Sequence, residues 1–205
     1  MKQKINPNRM ELLRLQQKII MAQRGHKLLK DKLDGLVQNF LGLSKEYQSL
    51  LPPVENELSQ VFTFSIIATG LLDKTVQDET LKTAKASLDV NVQQKNIMGV
   101  RVPLYSVSRS GDPMAYDKGS TPAELDETLF RFSDMLDRLV RLAQLNKTLE
   151  LMASEIGEVR RRVNALEYVL IPELKSNERF IKMKLNELEL SNRVTLFKIK
   201  DLVNQ

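Results

Sequence analysis

Apolar residues recur at alternating steps of three and four along the N-terminal part of the chain, and this seam is its strongest pattern. Its members are Leu12, Leu15, Ile19, Ala22, His26, Leu29, Leu33, Leu36, Phe40, Leu43, Tyr47, Leu50 and Val54. Only His26 is neither apolar nor aromatic. A seam of this length is typical of the a and d positions of a coiled coil. We therefore predict a coiled-coil helix within residues 1–85, with Asn6-Pro7-Asn8 supplying a capping residue near its start.

The adjacent prolines Pro52 and Pro53 interrupt this pattern. A proline inside a helix removes a backbone donor and clashes with the preceding turn, at a cost of about 3 kcal/mol or more. We expect a break or kink near residues 50–53, with the helix restarting at Val54. From Leu58 to Leu72 the apolar residues spread around the helix, so we expect a packing partner there besides the coiled-coil mate.

Residues 86–119 have a different pattern, which predicts a β-hairpin followed by a loop. Apolar and polar residues alternate in LDVNVQQ and again in VRVPLYSV, with the short segment KNIMG between them. Alternation on both sides of a short glycine-containing turn is typical of a hairpin. Gly111, Pro113 and Gly119 then indicate a loop.

A second helical seam occupies residues 120–205. Ser120 or Thr121 can cap it, and Pro122 suits its first position. Its members are Leu125, Leu129, Phe132, Leu136, Leu139, then after a skip Leu142, Leu145, Leu149, Met152, Ile156, Val159, Val163, Leu166 and Leu170. Pro172 predicts a kink, and a weaker pattern resumes at Leu174, Ile181, Leu185 and Leu188.

Two long seams joined by a compact hairpin must pair antiparallel. The predicted fold class is therefore mainly α, a long antiparallel two-helix coiled coil with a short β-hairpin at the end distal to the termini. If residue 81 faces residue 122, His26 lies near residue 177, within reach of Glu178. We expect His26 to act as a polar seam residue that specifies register rather than as a metal ligand.

The composition narrows the function classes. Cysteine is absent and His26 is the only histidine, which excludes disulfides and cysteine-ligated zinc and leaves little room for a histidine-based catalytic or metal cluster. The N-terminus turns polar where a secretory signal is apolar, and VFTFSIIATGLL falls short of the ~18 residues of a membrane span. We expect a soluble, non-catalytic protein in a reducing compartment.

Positive charge is concentrated at both ends of the chain, although the net charge is only +5. Such asymmetry indicates a charged partner at one end of the molecule. Nucleic acid is disfavoured, because no aromatic stacking platform accompanies the basic residues. Arg160, Arg161 and Arg162 cannot share one helix face, since successive residues lie ~100° apart. They are either solvated charges or docking residues for another subunit.

Three segments resemble the signature blocks of the D subunit of the V-type/A-type rotary ATPases. They are NPNRMELLRLQQKIIMAQRGHKLLKDKLDGL (6–36), KNIMGVRVP (95–103) and RRRVNALEYVLIP (160–172). Their order and spacing match nearly end to end. The family pattern commonly reads KxKRDEL where this chain has KDKLDGL, so Leu33 and Gly35 depart from it, as does the Pro52-Pro53 pair.

The resemblance implies a non-catalytic central-stalk axle that binds no cofactor. Both termini would enter the bore of a catalytic head of alternating A and B subunits. The hairpin would seat on the funnel-shaped subunit of the membrane rotor ring, and the small F subunit would clamp the side. The complex would make or hydrolyse ATP while moving protons or sodium ions. The chain would then be cytoplasmic and peripheral to the cell membrane, without inserting into it.

Three groups of surface residues follow as candidate contacts, and none is catalytic, cofactor-binding or metal-binding. The head-facing basic tip comprises Arg9, Arg14, Lys18, Arg24, Arg193 and Lys198. The lateral subunit contact comprises Arg160, Arg161, Arg162, Phe62 and Ile66. The membrane-side hairpin contact comprises Val90, Val92, Val100 and Val102. The alternative is a coiled-coil adaptor or stalk of another assembly, such as a secretion-system ATPase.

Overall fold

The computed structural model describes residues 6–72, 86–116 and 121–203. In chain order the elements are helix α1 (Arg9–Leu71), strands β1 (Ser87–Ile97) and β2 (Val100–Ser110), helix α2 (Ala123–Ala165), a π-helix (Leu166–Leu170) and helix α3 (Ile171–Val203). The fold class is confirmed as mainly α, with two long helical runs and an antiparallel hairpin. Residues Met1–Asp34 with Ile156–Gln205 form one compact unit, and Gly35–Glu155 form a second. They are called unit 1 and unit 2 below.

Helix α1 begins with the type of cap that its sequence predicts. The side-chain Oδ1 of Asn8 accepts a hydrogen bond from the backbone N–H of Glu11 at 2.8 Å. This bond satisfies one of the N–H groups that have no partner in the first turn. Glu11 also places a carboxylate at the positive end of the helix dipole.

The burial of α1 confirms the predicted seam. All thirteen seam residues are buried or half-buried, while Leu28 on the opposite side is exposed. Leu36 is fully buried, and Leu15, Ile19 and Val54 are nearly so. Burial of this apolar stripe against a second helix stabilises α1 more than helix propensity could at such a length.

The proline pair does not break α1, so the expected restart at Val54 is wrong. The helix runs through Pro52 and Pro53 without interruption. Both prolines are exposed, whereas Val54 next to them is 2% exposed. Burial on the seam side holds the helix together, and water can reach the carbonyls that lose their donors on the outer side. A bend of the axis there stays a prediction.

In unit 2, helices α1 and α2 run antiparallel. As residue numbers rise along α1, those of the partners on α2 fall: Glu46 pairs with Arg141, Glu57 with Arg138, and Gln60 with Arg131. Arg131 also lies over the ring of Phe64, 5.1 Å from its centroid. The side chains at the edges of the seam therefore link the two helices as well.

The seam of α2 differs from its predicted course near the start of the helix. Thr128 and Met135 are buried, whereas Phe132 is 39% exposed. The other four predicted residues before Leu142, namely Leu125, Leu129, Leu136 and Leu139, are half-buried, whereas Arg131 and Arg138 are exposed. The skip before Leu142 therefore stays a prediction, and the sequence pattern, followed through leucines, misses the buried Thr128.

Unit 1 also pairs its helical segments antiparallel, with a register that differs from the predicted one. Arg9 faces Glu189, Gln16 faces Glu178, and His26 faces Glu167. The Nε2 atom of His26 lies 3.3 Å from Glu167 Oε2. The predicted approach of His26 to Glu178 is therefore wrong. The error arises because that register is extrapolated from assumed facing positions at residues 81 and 122.

The irregularity expected near Pro172 takes the form of the π-helix. The backbone N–H of Ile171 donates to the carbonyl of Leu166, five residues earlier. This wider turn directly precedes Pro172, whose ring would clash with a carbonyl in a regular α-helical turn. The extra residue shifts the seam, so Ile171 is half-buried and the predicted seam residue Leu170 is 42% exposed. A kink there stays a prediction.

The hairpin forms within the predicted range, and its turn consists of only two residues. Strands β1 and β2 pair antiparallel from Ser87 opposite Ser110 to Ile97 opposite Val100. Nearly all of β1 is exposed. The other edge of the sheet contacts α2, since the backbone N–H of Tyr105 in β2 donates to Gln144 Oε1 at 3.0 Å.

The loop after the hairpin is fastened to the start of α2. The hydroxyl of Tyr116 donates a hydrogen bond to Asp126 Oδ1, and the residue is 9% exposed. Burial, followed by this hydrogen bond, raises the pKa of the Tyr116 hydroxyl well above its usual range. The phenol therefore stays protonated and keeps donating even at alkaline pH, where an ordinary tyrosine ionises.

Candidate partner-binding surfaces

The described residues present cationic and apolar side chains on their surface. Across residues 6–72, 86–116 and 121–203, no group of His, Asp and Glu side chains could hold a metal ion. Over the same ranges, the helices lack a stretch sufficiently long and apolar for membrane crossing. The cationic and apolar side chains on the surface are the candidate functional groups.

All six residues of the basic tip lie on the exposed surface of unit 1. Two of them form ion pairs. Arg9 Nη2 is 2.7 Å from Glu189 Oε1, and Arg14 Nη1 is 3.6 Å from Glu11 Oε2. The remaining four, Lys18, Arg24, Arg193 and Lys198, make no ion pair with any residue that the structure describes. Their charge is available to an acidic partner.

The carboxylate of Glu178, near the tip, has one partner on its own helix and one on α1. Its Oε1 lies 2.7 Å from Lys182 Nζ and accepts a hydrogen bond from Gln16 Nε2 at 3.1 Å. The bond from Lys182 and then that from Gln16 hold the pKa of Glu178 below its usual range. Because the ionised form is favoured in the folded state, the contribution to stability is lost as the pH falls through this lowered pKa.

Glu178→Gln should therefore destabilise the chain by less than about 1 kcal/mol near neutral pH. The difference from the unchanged chain should shrink as the pH falls below about 4. Urea unfolding at several pH values measures both effects. Glu187→Gln is the matched control, because Glu187 pairs with Lys184 on its own helix and not with α1. A pH-independent difference for Glu178→Gln would contradict the assignment.

The C-terminal end of α3 carries apolar side chains that lie outside the predicted contact groups. Every side chain from Asn186 to Leu202 is exposed. They include Leu190, Val194, Leu196, Phe197, Ile199 and Leu202, which are between 52% and 73% exposed. At ~100° per residue they point to all sides of the helix. A helix that is apolar all round is normally enclosed, and this is the sequence signal by which they could have been found.

Beside the π-helix, unit 1 has an open groove of about 530 Å³. Its lining includes the apolar side chains of Leu15, Ala22, Leu166 and Leu170 together with Lys18 of the basic tip. The tip surface is therefore mixed, with cations placed next to apolar area. A partner that binds this surface must complement both its positive charge and its apolar area.

The residues of the predicted lateral contact fall into both units. Arg160, Arg161 and Arg162 are exposed in unit 1, and Arg162 pairs with Glu158 of its own helix at 3.1 Å. Phe62 and Ile66 belong to unit 2 and are 58% and 70% exposed. Each group has the exposure that a partner contact requires.

The four hairpin valines separate into two pairs. Val90 and Val92 of β1 are exposed, at 44% and 57%, whereas Val100 and Val102 of β2 are buried, at 8% and 3%. Only the first pair is therefore accessible to a partner. Val100 and Val102 contribute to the internal packing of unit 2.

Comparison with known proteins extends over almost the whole chain. Residues 11–201 match the family model described as the D subunit of ATP synthase. The V-type ATP synthase D subunit of Thermoanaerobacter sp. (strain X514) is 43% identical over 201 residues, covering 97% of this chain and 96% of that protein. The V-type ATP synthase D subunit of Clostridium botulinum (strain Langeland) is 40% identical over 210 residues, covering 100% and 97%. The chain therefore belongs to the ATP synthase D-subunit family.

Proposed function

We propose that this chain is the central-stalk rotor subunit of a V/A-type ATPase or ATP synthase, and that it transmits torque without catalysing a reaction itself. The observation that carries the proposal is the match to the D-subunit family along residues 11–201, which leaves almost none of the chain outside that family. The match also favours this function over that of a secretion-system stalk or another coiled-coil adaptor.

The paired helices suit a part that transmits torque. In each unit an apolar seam is buried between antiparallel segments. Twisting one helix against the other would expose this seam to water, at about 25 cal/mol for each Å² of apolar area. A packed pair therefore resists twisting more than a single helix would. The exposed ion pairs across it add little, typically below about 1 kcal/mol each.

The surfaces described above are assigned to three partners. The basic tip and the apolar end of α3 would lie in the bore of the head of A and B subunits, against an acidic or polar lining with apolar patches. Arg160–162, Phe62 and Ile66 would contact the lateral F subunit. Val90 and Val92 would face the funnel subunit on the membrane rotor ring. This arrangement places the chain at the cytoplasmic face of the membrane.

Rotation in the bore couples the chain to catalysis through its asymmetry. Because the tip differs from side to side, each orientation stabilises a different set of conformations in the surrounding head, and turning the tip shifts these populations in sequence. Exposed cations attract an acidic lining without fixing one orientation. The complex makes or hydrolyses ATP, and the chain supplies no reacting group.

The first test is purification of the complex through an affinity tag on this chain. We expect the A and B subunits and a small lateral subunit to be recovered with it. A chain that brings down neither would refute the rotor assignment.

Reversing the charge of the basic tip tests whether its positive charge contributes to binding of the head. In Arg9→Glu/Arg14→Glu/Lys18→Glu we expect assembly with the head to weaken by roughly tenfold at low salt, with a smaller effect at high salt, because exposed charges are screened. Pull-down of the head at two salt concentrations measures this, and coupled ATPase activity should fall with assembly. The matched control replaces Lys27, Lys30 and Lys45 with glutamate. These residues also lie on α1 but outside the tip. Equal losses in both triple variants would contradict a role specific to the tip.

A further inference from the structure

The turn of the hairpin has an unusual conformation for its sequence. Met98 and Gly99 form a two-residue connection between paired residues, and both have positive φ, 52° and 91°. Such turns favour Asn, Asp or Gly at both positions, whereas a side chain as long as methionine is strained there. Asn96 supports the turn, since its Oδ1 accepts the N–H of Gly99 at 2.8 Å, but this bond does not explain Met98.

The side chain of Met98 lies where a side chain of α1 is missing. A Cβ atom built on Gly35 would be 2.5 Å from Met98 Cε and 3.1 Å from Met98 Sδ. No ordinary side chain at position 35 fits there unless Met98 moves. The other described glycines of α1, at positions 25, 42 and 70, have nothing within 4 Å of such a Cβ. Among these four, Gly35 alone makes room for another residue.

A polar contact completes the fit. The side-chain amide of Asn39, one turn further along α1, donates to Met98 Sδ at 3.2 Å and to the carbonyl of Gly35 at 3.0 Å. A thioether accepts hydrogen bonds only weakly, so Asn39 mainly sets the direction from which the sulfur enters. Gly35, Asn39 and Met98 all belong to unit 2.

We infer that the hairpin is fastened to α1 by a clasp, in which Met98 fills the slot left by the missing side chain of Gly35 and Asn39 holds its sulfur. The clasp acts together with two contacts on α2. These are the bond from Tyr105 to Gln144 and the pair of Arg109 with Asp137, with Arg109 Nη2 at 2.8 Å from Asp137 Oδ1. The hairpin is thus held on both helices, with Val90 and Val92 outward. This inference does not depend on the proposed function.

The test compares two glycine substitutions in the same helix. Alanine in place of glycine in a helix interior normally stabilises, so Gly42→Ala should raise the midpoint of thermal unfolding by about 2–4 °C. Gly35→Ala should give no rise, because the new methyl group displaces Met98. Backbone amide exchange at residues 96–100 should accelerate by roughly tenfold in Gly35→Ala and stay unchanged in Gly42→Ala. Equal behaviour of the two variants would overturn the inference.

A double substitution identifies Met98 as the residue displaced. Met98→Ala removes the thioether but keeps a Cβ in the left-handed conformation, so the strain of the turn stays. In this background Gly35→Ala should raise the unfolding midpoint as much as Gly42→Ala does, because the slot is empty. If Gly35→Ala still fails to stabilise when Met98 is alanine, another contact is responsible and the clasp is refuted.

Discussion

Leu36→Ala should lower the free energy of unfolding by about 3 kcal/mol. Leu36 is a predicted seam residue and has 0% of its surface exposed. Its truncation removes apolar contacts and leaves a cavity, and a helix pair with a continuous buried seam has little freedom to collapse into that cavity. Urea unfolding followed by far-UV circular dichroism measures the loss. The midpoint of thermal unfolding should fall by roughly 10 °C.

Leu28→Ala is the matched control for this prediction. Leu28 lies on the same helix and loses the same atoms, but it is 69% exposed. Its substitution should change the free energy of unfolding by no more than about 0.5 kcal/mol. Similar losses for the two variants would mean that the seam does not carry the stability of α1.

Replacing three apolar residues at the end of α3 should weaken assembly with the head subunits by at least about 100-fold. The variant is Leu196→Gln/Phe197→Gln/Leu202→Gln, in which glutamine keeps good helix propensity. These side chains are 65%, 66% and 73% exposed in the chain. If a partner encloses them, each contributes about 1.5–3 kcal/mol to binding, and about 1.4 kcal/mol corresponds to a factor of ten.

The stability of the isolated chain should not change in this variant, because the three residues are already 65–73% exposed to solvent. Binding is measured by titrating the head with labelled chain. The matched control Arg193→Gln/Lys198→Gln/Lys200→Gln neutralises three cations of the same segment and should cost only a few-fold, since exposed charges contribute little affinity. A larger loss in the control would show that charge, not apolar area, holds the tip in place.

The two variants also decide whether the tip binds the head mainly through positive charge or mainly through apolar area. Its cations stand out in the sequence, because uneven charge is visible in any count along the chain. The apolar residues from Leu190 to Leu202 do not form one single seam and are therefore easily overlooked, although their spread around the helix is itself the sign of an enclosed segment. In the structure the same surface carries both the cations and the apolar side chains.

Helices, seam and hairpin could be predicted because they depend on neighbours in sequence. A period of three and four selects one helix face, and alternation around KNIMG selects a hairpin. The thirteen seam positions of α1 are accordingly buried or half-buried, and both strands lie within residues 86–119, although they extend into KNIMG and leave a turn of two residues. The break at Pro52-Pro53 is absent from the helix, because burial of Val54 and the other seam residues outweighs the local penalty of the two prolines.

The long helices, the seam positions of α1 and the location of the hairpin were thus determined by the sequence alone, together with membership of the D-subunit family. Only the tertiary structure decided that His26 meets Glu167, that Ile171 replaces Leu170 in the seam, and that Gly35 receives Met98. In the sequence, Gly35 is visible only as a departure from the family pattern. The physical reason is that these contacts join residues far apart in the chain. They depend on the register and the rotation of one helix relative to the other, and local periodicity constrains neither.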